Sequence, residues 1–431
     1  MDLGHRRPGL DGGRQPTAPP ASERRLRVRA IRFHYRPLRY LVTRAISGRW
    51  PGVAWSPLGC LQLDEVEPPV LPGRDWVRIE TALSGICGSD LAAVTAHDSF
   101  TLEPFGAYPF TFGHENVGRV VETGPDVRGW SVGDRVVVSP MLACRQRGLD
   151  ACAACARGEY GLCRNTGEGE PGRGPMIGYS PGTGGGWSRS FVAHESQLFE
   201  AGGLADEVAV LTDPLASALR PVLLQPPADD DSVLVIGAGS IGLLTVAALR
   251  ATGWAGPLAV SCRHAAQAER AQRAGASVVL RSHAALYEWA GSSPGAKAYR
   301  PTLAAPFVEG GPSLVYDTVG SERTVRESLS LTREGGRVVL VGAAARVAVD
   351  LTRLWYRHLT VAGIFAYGPV PWRGERQDIY DVSLELLRDA RFAALDLLTH
   401  TFSLEDWRVA LSAALDKGGT GSIKVAFRPG D

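Results

Sequence analysis

Two short motifs and one cluster hold most of the side chains able to do chemistry. Residues 85–90 read GICGSD and supply Cys87, Ser89 and Asp90; residues 113–115 read GHE and supply His114 and Glu115. Together they offer a thiolate, an imidazole and a carboxylate, donors that a catalytic zinc takes while one position stays open for substrate. In isolation each motif says less, because a single buried cysteine is usually a small core residue and a lone histidine a hydrogen-bonded structural group. Cys144, Cys152, Cys155 and Cys163 crowd into twenty residues, whereas Cys60, Cys87 and Cys262 stand apart. No apolar core of a secretory signal precedes them, so clustered thiols point to metal ligation rather than disulfides, and to a reducing, cytoplasmic compartment.

A third motif is built to bind. Residues 237–242 read GAGSIG between an apolar strand-like run at 232–236 and an apolar helical stretch at 240–252. Gly237 permits a tight turn, Gly239 lets the backbone approach a pyrophosphate and Gly242 lets helix and strand pack closely. Ser240 and Ile241 open the helix whose free N–H groups face the anion. In this strand, turn and helix setting the glycines indicate a dinucleotide. At the end of the second strand, where an acid usually accepts the ribose hydroxyls of NAD, the chain reads Ser261, Cys262, Arg263, His264. A guanidinium there can pair with a 2′-phosphate, which favours NADP(H) over NAD(H). The other reading keeps Arg263 as a surface base, with NAD bound without its usual anchor.

The elements that must position these groups follow from hydrophobic period. Residues 28–138 alternate short β-rich runs, among them DWVRIETAL and NVGRVVETG, with Gly and Pro punctuation, as in a partly antiparallel, barrel-like domain. Residues 165–189 are too rich in Gly and Pro for an element interior and read as a loop able to line a site. From about 215 to 370, apolar runs such as SLVYDTVG and GRVVLVG alternate with helical stretches, which indicates an α/β, doubly wound parallel sheet. Residues 402–427 read as one helix and one strand that return to the first domain. The expected division is an Arg-, Pro- and Gly-rich disordered leader at 1–27, a β-rich catalytic domain at 28–214 and 371–431 with its cysteine lobe at 144–163, and a dinucleotide-binding domain at 215–370.

Bulk properties exclude other classes. Hydrophobic residues make up 45% and charged residues 21% of the 431, and 46 bases nearly cancel 45 acids, so no nucleic-acid partner is expected. No apolar run reaches the roughly eighteen residues a membrane span needs, and no membrane partner is expected either. Small-molecule chemistry is the remaining default. The first 50 residues differ, with twelve arginines against Asp2, Asp11 and Glu23.

GICGSD, GHE, the four-cysteine lobe and GAGSIG, in that order, resemble the zinc-containing medium-chain alcohol dehydrogenase/reductase family, sorbitol and threonine dehydrogenases included, over residues 28–427. The resemblance implies a GroES-like catalytic domain beside a Rossmann domain, and alcohol–carbonyl interconversion by hydride transfer. It makes Cys87 and His114 ligands of a catalytic zinc, Glu115 an adjacent or exchangeable ligand, and Asp213, within LTDPLASAL, the third ligand. A helix N-cap ahead of Pro214 is the alternative for Asp213. Cys152, Cys155 and Cys163 become three ligands of a structural zinc. Leu149 stands three residues before Cys152, so the inserted RQRGL must loop out for Cys144 to complete that site. Ser89 becomes the first carrier of the substrate proton. Many relatives place a relay histidine five residues after the ligating cysteine, but Ala92 is there, and the nearest imidazole in sequence is His97. That departure keeps two further readings: an NADPH-dependent reductase of an activated C=C or C=N bond, and a zinc- and NADPH-binding scaffold without turnover. A homo-oligomer, dimer or tetramer, is also implied. Tyr179, Trp187, Trp355, Tyr356 and Tyr367 could shape a pocket, and none is given a role.

Overall fold

Alternating burial along short β-branched runs builds two sheets that share no strand. The computed structural model describes residues 27–430, so the leader, Arg27 apart, lies outside the described residues. The first sheet has seven strands. Its centre is Trp76–Gly85, which pairs antiparallel with Glu115–Thr123, Ser190–His194 and Lys424–Phe427; Arg135–Val138, Leu198–Glu200 and Leu398–Phe402 complete it. Trp76, Val77, Ile79 and Leu83 are buried there beside Val117, Val120 and Phe191.

The second sheet is six-stranded and parallel throughout, in the spatial order Val278–Leu280, Leu258–Ser261, Val233–Ile236, Leu314–Asp317, Arg337–Leu340, Thr360–Gly363. The order reverses between Val233–Ile236 and Leu314–Asp317. That switch point opens a crevice at the carboxyl ends of the strands, where Gly237 makes its turn.

Helix Thr212–Leu224 runs from one half to the other and packs on helices Ser240–Ala251 and Ile379–Leu387. A division at 214/215 therefore cuts this helix, and one at 370/371 cuts the hairpin of Pro369–Trp372 and Glu375–Asp378. The chain rejoins the first sheet through Leu398–Phe402, helix Trp407–Leu415 and Lys424–Phe427. Between the last two lies a second short helix, Lys417–Thr420, because Asp416 caps the Gly419 N–H and Gly421 turns left-handed at φ +71°.

One element has no counterpart in the sequence reading. Val28–Phe33 and Leu61–Val66 form an antiparallel pair, yet the connection between them carries helix Pro37–Ile46 and the 3₁₀ turn Pro51–Trp55.

Candidate active site

Three neighbouring strand ends assemble the first cluster. Gly85 ends the central strand opposite Glu115, which begins the next, and opposite Ala426 on the C-terminal strand. Cys87 follows Gly85 by two residues, His114 precedes Glu115, and Lys424 lies two residues before Ala426. Gly85 must lack a side chain, because a Cβ there would fall 1.9 Å from Glu115 Oε2 and 2.9 Å from Lys424 Cε. Gly113, at φ +102°, turns the chain into His114.

The ligand atoms of Cys87, His114 and Glu115 all lie within 4.8 Å of one another. One thiol, one imidazole and one carboxylate at that separation fit a zinc ion with an open fourth position. Asp90 supports two of them. Its Oδ2 accepts a 2.9 Å hydrogen bond from the Cys87 backbone N–H at the start of helix Gly88–Val94, and its Oδ1 lies 3.2 Å from His114 Nδ1. Tyr179 donates to the same Oδ1 at 2.9 Å. A carboxylate behind a ligating imidazole fixes its orientation and raises its basicity. Burial works against the His114 imidazolium, but Asp90 and the Cys87 sulfur more than offset it, so its pKa stands well above the ordinary value. Glu115 is buried beside Lys424, which also donates to Ile86 O at 3.1 Å. Burial pushes the Glu115 carboxyl up, while Lys424 opposes the rise.

Asp213 does not join this cluster. It lies within the first turn of Thr212–Leu224 rather than at its cap, which is Leu211. Its Oδ2 accepts hydrogen bonds from Tyr367 at 2.9 Å and Tyr380 at 2.5 Å. Ser89 sits on the first turn of helix Gly88–Val94, one residue before Asp90. His97 is exposed beyond the far end of that helix, its Nδ1 3.2 Å from Thr95 Oγ1. Of the five aromatic candidates, Tyr179 packs tilted against His114 with ring centroids 5.7 Å apart, Trp187 is fully buried core, and Trp355 and Tyr356 are exposed. Tyr380 and Lys424 thus shape the site without having been named in the sequence, and Asp90 and Tyr367, named there without a role, join them.

The second cluster is complete. Sulfur atoms of Cys144, Cys152, Cys155 and Cys163 lie within 4.8 Å of one another, a donor set that fits a closed tetrahedral zinc. The inserted residues loop out as a tight turn: the Leu149 N–H bonds Cys144 O at 3.0 Å, and Gly148 takes φ +63°. Backbone N–H groups of Cys155 and Arg164 lower the Cys152 thiol to about 6, so it is ready as thiolate. Arg147, from the insertion, is buried and donates to the carbonyls of Leu142, Glu168, Gly172 and Gly174. It fastens the Gly/Pro-rich loop to the lobe.

The nucleotide turn is formed as its glycines require. Gly237 takes φ +101°, and a Cβ on Gly242 would fall 2.0 Å from Gly237 O. Gly239 caps helix Ser240–Ala251, with Ile241 in the first turn, and a Cβ there would meet nothing nearer than Lys417 Nζ at 3.6 Å. The Lys417 ammonium makes no hydrogen bond or ion pair among the described residues. Burial lowers its ammonium pKa, Lys424 adds to this, and the Cys87 sulfur opposes it. One lysine therefore senses both the phosphate turn and the first cluster. Arg263 is exposed just past strand Leu258–Ser261 and makes no ion pair among the described residues, and His264 caps helix Ala265–Arg273.

Residues 73–203 match the family model described as the alcohol dehydrogenase GroES-like domain, and residues 240–387 the one described as zinc-binding dehydrogenase. A Mycobacterium tuberculosis protein described as a probable zinc-binding alcohol dehydrogenase is 30% identical, covering 86% of this chain and 86% of its own. L-Idonate 5-dehydrogenase of Vitis vinifera is 28% identical, covering 89% and 97%. Two solved structures share the fold. A Sinorhizobium meliloti protein bound to NADP has a TM-score of 0.68 at 23% identity, covering 94% of this chain and 100% of its own. An Escherichia coli alcohol dehydrogenase complexed with NADH has a TM-score of 0.67 at 22% identity, covering 94% and 99%.

Proposed function

Because the chain belongs to the zinc-type medium-chain alcohol dehydrogenases, and so is an alcohol–ketone oxidoreductase using zinc and a nicotinamide, we propose that it works with NADP(H) on a small alcohol, ketone or aldehyde. The observation that supports the reading is Arg263, exposed just past strand Leu258–Ser261 without an ion pair among the described residues, where an acid would hold the ribose hydroxyls of NAD. As an enzyme family, this leaves the scaffold reading without support.

Cys87, His114 and Glu115 would hold zinc, which supplies Lewis acidity toward the substrate oxygen. Asp213 is left out of the ligand set, since it is not among the donors that lie within 4.8 Å of one another. Cys144, Cys152, Cys155 and Cys163 would hold a second, structural zinc. Asp90 orients His114 and the Cys87 turn. The Ser89 hydroxyl, two residues after Cys87, receives the alcohol proton. Exposed His97 has no part in it. Gly237, Gly239, Gly242, Ser240 and Ile241 seat the pyrophosphate, with Lys417 closing over it, while Ser261, Arg263 and His264 face the adenosine ribose. Four thiols poised for metal suit a reducing, cytoplasmic setting. The free edge of strand Thr360–Gly363, flanked by exposed Trp355, Tyr356 and Phe365, supports a homo-oligomer.

Cofactor choice is tested by kcat/KM with NADPH and NADH in wild type and Arg263→Asp. A charge-assisted contact worth about 1.5–3 kcal/mol predicts a loss of about ten- to a hundredfold with NADPH and little change with NADH. Equal use of both cofactors by wild type would refute the NADP assignment.

A further inference from the structure

Helix Pro37–Ile46 is mounted with the wrong face outward for a globular protein. Tyr40, Thr43, Arg44 and Ser47 face the protein: Tyr40 donates to Asp98, Arg44 to Ala96 O at 2.8 Å and Ser47 to Thr95 O at 2.8 Å. The apolar stripe, Leu38, Leu41, Val42 and Ile46, recurs at helical spacing and faces solvent, with Leu38 80% and Leu41 55% exposed. A surface helix ordinarily turns such a stripe to the core.

The stripe does not stand alone. Exposed Trp50 follows the helix, and exposed Phe100, Leu102 and Phe105 lie on the neighbouring turn Phe100–Phe105, joined to the helix by the Tyr40–Phe100 ring contact at 5.8 Å. Contiguous exposed apolar surface of this kind marks an interaction site. Arg36, Arg39 and Arg49 border it and make no ion pair among the described residues. Residues 36–50 contain no acid, and Glu103 is the exposed carboxylate on the neighbouring turn.

We infer that this patch docks on an anionic phospholipid bilayer, with the apolar stripe and Trp50 entering the headgroup boundary and the arginines facing lipid phosphates. Apolar and basic groups on one face, with a tryptophan at the edge, are what an interfacial surface needs. A second copy of the chain fits poorly, because a two-fold contact through this patch would set the three arginines near their own copies. Six arginines, at positions 6, 7, 14, 24, 25 and 27, precede the first strand against Asp2, Asp11 and Glu23, so that segment carries net charge of the same sign. Docking here revises the expectation of no membrane partner, which rested on the lack of a spanning segment. Among the described residues no helix is long and apolar enough to cross a bilayer, and a surface contact needs none.

The test is flotation of the full chain with vesicles of phosphatidylcholine alone and of phosphatidylcholine mixed with phosphatidylglycerol. Wild type, Leu38→Ser/Leu41→Ser and Arg36→Gln/Arg39→Gln/Arg49→Gln are compared, with sedimentation of each in solution. Wild type floats with the anionic vesicles and not with the neutral ones. The leucine variant loses at least about tenfold in partitioning although it keeps every arginine, and the arginine variant loses the preference for anionic lipid. Failure of wild type to float, or equal flotation of the leucine variant, would overturn the inference. So would a fall in oligomeric order on Leu38→Ser/Leu41→Ser, which would make the patch a contact between copies.

Discussion

At the scale of single residues, the site rests on a charge pair that the motifs do not announce. Glu115 and Lys424 are both buried, and each is the counter-ion of the other. Removing one member of such a pair leaves an uncompensated charge in the interior, at about 3–5 kcal/mol. Lys424→Met is therefore expected to lower the stability of the metal-free protein by that order in urea unfolding, and Lys424→Arg by much less. An unchanged midpoint for Lys424→Met would mean that Glu115 is neutral or solvated. Lys424 is visible in the sequence as a lone base within an apolar run, but its partner depends on strand register over more than three hundred residues. The surroundings of Asp213 are hidden for the same reason. Its neighbours, Tyr367 and Tyr380, stand 154 and 167 positions away, and no local spacing reveals that two phenols occupy its carboxylate. The four lobe cysteines stand out in the sequence by their close spacing, whereas Cys87, His114 and Glu115, spread over residues 87–115, are singled out by the resemblance of GICGSD and GHE to a known family.

At the scale of elements, the strand, turn and helix at 233–251 separates two roles that its glycines share in sequence. Gly242 has no room for a side chain, so Gly242→Ala drives a methyl group into Gly237 O and is expected to destabilise the protein by about 1–3 kcal/mol. Gly239 has room, with Lys417 Nζ 3.6 Å away, so Gly239→Ala is expected to leave the thermal midpoint in place and to raise the KM for NADPH. Calorimetry and initial rates on the two variants check the split; loss of stability in Gly239→Ala would contradict it. The parallel sheet was readable because both of its faces are covered, which makes its strands continuous apolar runs. Helix Pro37–Ile46 was not readable. Its arginines break up the apolar signal, and its apolar stripe points away from the core that such a stripe normally indicates.

At the scale of the molecule, the two sheets meet where the C-terminal segment lays Lys417 over the Gly239 turn and Lys424 beside the cluster of Cys87, His114 and Glu115. At one edge of the parallel sheet, Thr360–Gly363 has a partner on one side only among the described residues, and Trp355 beside it is 68% exposed. An edge of this kind pairs readily with a copy of itself. Wild type is expected to sediment as a dimer or larger, and Trp355→Glu/Phe365→Glu to shift it toward monomer. A monomeric wild type would remove the homo-oligomer from the account. The reaction itself is tested most directly by zinc content and product analysis of wild type and Cys87→Ser, using NADPH with a ketone, an aldehyde and an enone. The two donor clusters predict two zinc ions per chain in wild type and one in the variant, with alcohol formation lost together with the missing metal. If Cys87→Ser keeps both ions or still makes alcohol, or if wild type reduces the enone at carbon and leaves the ketone untouched, zinc-dependent carbonyl chemistry at Cys87, His114 and Glu115 is contradicted.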